Sequence, residues 1–283
     1  VVPVFVDINP STLNIDESKI EAAITPKTKA IIGVHYAGHA CNLIQLREIC
    51  TTHKLALIED AAMGFGSNYG NIPLGSYGDF GVISFDITKH IQAVQGGLLL
   101  INNKDFSKRA HQIYNIGTNR DEYKNGDVPY YEWVDFGSKY QMNELNAAIL
   151  FEQLKNSNEL LNFRKKLSHS YYSKFKNLEN EGFLKLMPAN YVDANVHEFY
   201  IIVADENQRN QLQKHLASQN IEAFFHYIPL HISKMGMEKG RNFDMEITTK
   251  TSNCLLRLPF HEGVTEANVK YIFNNVTDFF YKK

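Results

Sequence analysis

Runs of apolar residues alternate with mixed-polarity stretches through the first hundred positions, and the period of the pattern switches between strand and helix. Residues 29–35, 55–58, 80–85 and 97–101 are short blocks rich in Ile, Val, Leu and Phe, which predicts strands. Asp16 heads a helical stretch over 17–24 that Pro26 stops. Leu43, Leu46, Ile49 and Cys50 recur on one helical face. This β–α alternation predicts an α/β fold: a mainly parallel sheet flanked by helices on both faces. Ligands of such sheets bind outside the carboxyl ends of the strands. Residues 1–8 are rich in β-branched side chains and also read as a buried strand. A chain opening inside a core strand is expected to be incomplete at its N-terminal end.

The rhythm changes further along. Residues 105–115 read as a helix, and 117–139 as a long polar and aromatic loop of the length that functional loops have. From Met142 the apolar period is helical through Leu145, Ile149, Leu154, Leu160 and Leu167. After Asn177 the pattern restarts, with strands expected at 183–186, 199–203 and 222–226 and helices at 207–218 and 266–280. Two units follow: a large domain over 1–177 that includes the connecting helix, and a smaller α/β domain over 178–283.

Composition narrows the function classes. A formal net charge of -2 gives no basic footprint for nucleic acid, and no apolar run reaches a membrane span. Cys41, Cys50 and Cys254 have no metal-ligand spacing and read as reduced thiols, so the expected location is the cytoplasm. His226 and His231 have no third ligand nearby, and no metal site is expected.

The chemistry is concentrated in two strand ends. Asp60 closes the run Ile58-Glu59-Asp60-Ala61-Ala62, and Lys89 follows Ser84-Phe85-Asp86-Ile87-Thr88. A lysine amine can form a Schiff base with the aldehyde of pyridoxal phosphate (PLP), and a carboxylate can keep the cofactor's ring nitrogen protonated. Ser84 adds a hydroxyl for the phosphate, and Gly96-Gly97 allows a tight return or close backbone approach to a flat group. His226-Tyr227-Ile228-Pro229-Leu230-His231 reads as a loop on the substrate side or at the domain interface.

On these motifs, with Val34-His35-Tyr36-Ala37-Gly38, Gly117-Thr118-Asn119-Arg120, Tyr131-Glu132-Trp133 and Leu256-Arg257-Leu258-Pro259, the chain resembles the DegT/DnrJ-type sugar aminotransferases. The resemblance covers nearly the whole chain and implies the fold of PLP-dependent transferases of the aspartate aminotransferase type. It is strongest to transaminases acting on the 4-keto group of dTDP-4-keto-6-deoxyhexoses, which make deoxyaminosugars for polysaccharide or lipopolysaccharide. It implies Lys89 as the cofactor-linked catalytic lysine and Asp60, Ser84, Met63 and Gln141 as further cofactor contacts, with Lys139 the alternative to Gln141. It also implies His226, Tyr227, His231, Asn119 and Arg120 as substrate contacts, glutamate as amino donor, and a homodimer with shared sites.

Three departures stand out. Met63 replaces a polar residue that would touch the cofactor's phenolic oxygen, and a thioether is a weak acceptor. Val94-Gln95-Gly96-Gly97 replaces Gly-Glu-Gly-Gly, and Asp86 brings a negative charge close to Lys89. The competing readings are a truncated, non-catalytic homologue and a 3-keto-sugar aminotransferase of the same family. A dehydratase of this fold would have His in place of Lys89.

Overall fold

The computed structural model describes residues 1–191 and 197–281. The central sheet has four strands: β1 (Ala30–Val34), β2 (Ala56–Asp60), β3 (Phe80–Ser84) and β4 (Gly97–Ile101). They lie in that order, with β1, β2 and β3 parallel and β4 antiparallel to β3. Helix α1 (Leu43–His53) covers one face. Its Leu43, Leu46, Ile49 and Cys50 pack with Ile31, Leu57 and Ile83 of the sheet in one core. Asn42 caps this helix by accepting from the Gln45 amide.

Helices were expected on both faces. The other face instead carries exposed Ile32, Val34, Val82 and Leu99. Strand alternation puts Asp60 and Ser84 on this same face, at the carboxyl ends of β2 and β3.

Beyond β4 come helices α2 (Ser107–Tyr114), α3 (Glu144–Lys155) and α4 (Ser157–Asn180). A short helix, Arg120–Asn125, interrupts the expected long loop. The second sheet is antiparallel, with β5 (Lys185–Leu186), β6 (Phe199–Ile202) and β7 (Leu255–Leu258) in the order β7-β6-β5. Helices α5 (Glu206–Ser218), α6 (Glu246–Cys254) and α7 (Glu266–Tyr281) complete this unit. Leu167, Tyr171, Phe175 and Leu178 of α4 belong to its core. Leu160 packs against the first core, so the passage between cores falls inside α4.

Two sequence expectations change here. Only Val4–Phe5 of the first eight residues is a strand, paired in parallel with Arg241–Asn242, and Val1, Val2 and Val4 are exposed. Residues 222–226 form no strand; a single bridge, Phe224 to Arg257, holds them beside β7.

Asp7 explains how the N-terminal segment is fixed. Its carboxylate accepts from the backbone amides of Ile247 and Thr248 and from Thr248 Oγ1 at the start of α6, and it pairs with Lys19 Nζ at 3.0 Å. It thus acts as a helix cap supplied from far along the chain. Burial alone would raise its pKa, but the Thr248 and Lys19 bonds prevail and bring it down to about 2. A carboxylate with a depressed folded pKa stabilises the fold above its unfolded value, and that stability fades as the pH falls from about 4 towards 2. Asp7→Ala is expected to cost about 2 kcal/mol near neutrality. Urea melts of both proteins should show the gap closing at the acid end. A gap of constant size down to pH 2 would contradict this role.

Candidate active site

The end of β2 is built around a buried carboxylate. Glu59 points to the closed face and accepts from the amides of Gly75, Tyr77 and Gly78 at 2.9, 2.6 and 2.6 Å. His35 Nδ1 accepts from the Cys41 amide, so its Nε2–H is the group that donates to Glu59 at 2.9 Å. Burial works against the Glu59 charge, but these bonds hold its pKa below the usual carboxylate value. Glu59 therefore ties β1, the 75–78 turn and β2 together, which fixes Asp60 on the opposite face.

Asp60 Oδ1 accepts from the Ala62 amide at 3.1 Å, and its second oxygen has no hydrogen bond among the described residues. Ser84 Oγ accepts from the Asp86 amide at 3.2 Å, leaving the hydroxyl proton for an outside acceptor. Lys89 follows in the turn after β3. Burial pulls its amine below the ordinary lysine value, while Asp60, Asp86 and Glu198 push back. A lowered lysine pKa favours the neutral amine that attacks a carbonyl. Asp86 itself is committed locally, accepting from the Thr88 amide and hydroxyl.

A cleft of about 510 Å³ opens beside Lys89, between the turn after β3 and the junction of α3 with α4. Lys89, His90, Gln92, Gln153 and Glu262 are among the residues that line it; Asp60 and Ser84 do not. Lys89 thus stands between this cleft and the open sheet face. His90, half-buried in the cleft wall, is bonded to the Phe65 carbonyl and to His197 Nδ1 at 3.2 Å. Burial lowers the His90 pKa to about 4, so the ring is neutral at physiological pH.

The second unit brings a charged cluster to the same place. Glu198 is buried, with Oε2 2.9 Å from Arg257 Nη1 and Oε1 2.8 Å from His226 Nδ1. Tyr36, in the segment after β1, reaches His226 Nδ1 at 2.9 Å. His226 therefore joins the segment after β1 to the cluster around Glu198, and Tyr227 beside it is exposed. The sequence reading passed over Glu198 and gave Arg257 no role, since isolated charges near strands leave no local signal.

Other expected site residues lie elsewhere. His231 is buried with Nε2 3.0 Å from Thr249 Oγ1, and it lines a separate cavity of about 520 Å³. Asn119 is buried, and its amide bonds the Tyr130 carbonyl and the Glu132 amide. It shapes the loop through these two bonds. Arg120 is exposed beside it, and Gln141 donates to Asn115 at 2.9 Å. Met63 is half-buried in the turn after Asp60. Gly117, at φ +74°, lies where any Cβ would overlap the Asp135 carbonyl, so the loop closes tightly on itself. Gly96 packs on the Met142 methyl group.

Val94 holds φ at 63°, the left-handed region that a β-branched residue resists. Its amide donates to Gln92 Oε1 at 2.6 Å. The glycine that the family resemblance places at this position would adopt the turn without strain. Val94→Gly is expected to stabilise the chain by about 1 kcal/mol. A thermal melt reads this directly, and a lower midpoint would show that Val94 packing outweighs the strain.

Asp60, Ser84 and Lys89 therefore fit PLP: an acceptor for a ring proton, a donor for a phosphate oxygen and an amine of lowered basicity. Among the described residues, no cluster of His, Cys, Asp or Glu could hold a metal ion, and no helix is long and apolar enough to cross a membrane.

The uncharacterized protein MJ1066 of Methanocaldococcus jannaschii is 32% identical over 285 residues, spanning 97% of this chain and 72% of that protein. The fold matches the aminotransferase TlmJ from Streptoalloteichus hindustanus with a TM-score of 0.88 at 24% identity, over 99% of this chain and 74% of that one. Bacillus subtilis NtdA, solved with bound PMP, matches with a TM-score of 0.85 at 26% identity, over 98% of this chain and 62% of that one. The family model for DegT/DnrJ/EryC1/StrS aminotransferases matches residues 1–277. The chain belongs to this family of PLP-dependent sugar aminotransferases.

Proposed function

We propose that this chain transfers an amino group to the 4-keto carbon of a nucleotide-linked 6-deoxy sugar, with dTDP as the nucleotide and glutamate as the donor. The product would be a deoxyaminosugar for a cell-surface polysaccharide or lipopolysaccharide. The observation that carries the catalytic part is Lys89, half-buried, lowered in basicity and electrostatically coupled to Asp60. The choice of the 4-keto carbon is supported by likeness in Gly117-Thr118-Asn119-Arg120, Tyr131-Glu132-Trp133 and Phe225 to His231.

When bound, PLP supplies an electrophilic carbon and a ring that takes up the electron pair released as a carbon–hydrogen bond breaks. The protein supplies the rest. Lys89 Nζ, in its neutral form, takes a proton from the donor's α-carbon and later returns one to the sugar carbon that receives nitrogen. The Asp60 carboxylate holds a proton on the ring nitrogen, and the Ser84 hydroxyl donates to a phosphate oxygen. His226 Nδ1 lies 2.9 Å from the Tyr36 hydroxyl and 2.8 Å from Glu198 Oε1, which holds the Glu198 cluster beside the segment after β1.

The same reading pairs two copies of the chain. Exposed Tyr130, Tyr131, Trp133, Phe136 and Tyr140 precede Gln141 and offer an aromatic surface for the second copy.

Incubation with dTDP-4-keto-6-deoxyglucose, glutamate and PLP, followed by NMR of the product, tests the assignment. An amine at C4 is the expected result. An amine at C3 from the 3-keto isomer would replace this substrate with the alternative one. No amine from either sugar would contradict the catalytic reading of this chain.

A further inference from the structure

His90 and His197 meet ring to ring, with their Nδ1 atoms 3.2 Å apart. Two ring nitrogens this close share one hydrogen. His90 Nε2 lies 3.1 Å from the Phe65 carbonyl oxygen, which can only accept, so this nitrogen carries a hydrogen. In the neutral His90 ring Nδ1 is then bare, and His197 Nδ1–H is the donor. The two contacts therefore fix both tautomers: Nε2–H in His90 and Nδ1–H in His197.

The surroundings keep the rings uncharged. Burial lowers both pKa values, that of His90 to about 4, and the positive charges of Lys89 and Arg164 act in the same direction. Arg257 adds to this at His197. The carboxylates nearby are engaged elsewhere: Glu262 with Arg164, Glu198 with Arg257 and His226, and Glu152 with Lys155. A proton on His90 Nδ1 would bring two N–H groups face to face, so the pair holds only while His90 is neutral in this tautomer.

The pair ties three parts of the site together. Through the Phe65 carbonyl, His90 fastens the turn of Lys89 to the turn that follows Asp60. Through His197, it fastens the same turn to the residue before Glu198. His197 is itself pinned, its amide donating to the Ala37 carbonyl at 2.9 Å and its carbonyl accepting from Arg164 Nη2 at 2.5 Å. Asp60 and Glu198 are two of the acids whose charges act on the Lys89 amine.

We propose that His197 is a positioning residue for Lys89: its Nδ1–H, received by His90, holds the lysine turn against both Asp60 and Glu198. The inference rests on the transaminase reading for the role of Lys89. An amine that attacks a carbonyl reacts only over a narrow range of distance and angle, and a tether on the adjacent residue limits its wandering.

Nitrogen-15 NMR of the purified chain without cofactor reads the tautomers and the titration. At neutral pH the wild-type chain is expected to show His90 as Nε2–H and His197 as Nδ1–H. His197 as Nε2–H would overturn the proposal whether or not any variant folds. His197→Leu removes the donor and frees His90 Nδ1 for a proton, so His90 is expected to bind its proton about tenfold more tightly. His197→Asn places an amide donor near the position of Nδ1 and is expected to reverse most of that change. The rate at which Lys89 takes up PLP, trapped by borohydride, reads the consequence. It is expected to fall about tenfold in His197→Leu and to recover for the most part in His197→Asn. An unchanged rate in His197→Leu, or equal losses in the two variants, overturns the positioning role. No PLP trapped by the wild-type chain, with both tautomers as expected, would keep the histidine pair and sink the transaminase reading.

Discussion

Lys89→Ala is expected to lower transamination by roughly 10⁴-fold or more, because one amine serves as both the nucleophile and the proton carrier. The lysine is half-buried, and its environment favours the neutral amine. No other lysine faces that combination of burial with Asp60, Asp86 and Glu198 among the described residues. Single-turnover measurement with glutamate and PLP-loaded protein isolates the step. The variant should still take up PLP non-covalently through Asp60 and Ser84, so loss of rate with retained absorbance is the expected pattern. Retention of more than about a tenth of the wild-type rate would assign the proton transfer to another group.

Asp60→Asn is expected to bind PLP and to turn over roughly 10²- to 10³-fold more slowly. The substitution keeps the shape and the bond to the Ala62 amide but removes the charge that holds a proton on the ring nitrogen. Glu59 anchors the strand end independently, so the fold should survive. A steady-state rate within a factor of a few of wild type would remove Asp60 from this role. A melting midpoint well below wild type would show that its charge serves the fold.

The strands of the four-stranded sheet were legible because each is a short apolar block with a clear boundary, and α1 because Leu43, Leu46, Ile49 and Cys50 share one face. The N-terminal run was misread because β-branched composition does not distinguish a core strand from a two-residue edge ribbon. Residues 222–226 have strand composition, yet they pair only at Phe224. Helix α6 was missed: Thr-rich and polar, it depends on a cap from Asp7 at the far end of the chain. Asp60 and Ser84 end strands and Lys89 follows one, the placement that a parallel sheet gives a ligand site, so their order made them the candidates. Glu198 and Arg257 could not be found that way. Their meaning comes from a 2.9 Å contact between β7 and the residue before β6. Asn119 shows the reverse: a motif residue whose amide is used up inside its own loop.

The central claim is that Lys89 is the cofactor-linked lysine of this chain. Borohydride reduction of the purified protein with PLP, followed by peptide mapping, tests it most directly. The account predicts one equivalent of label on Lys89. Label scattered over surface lysines, or none at all, would contradict it.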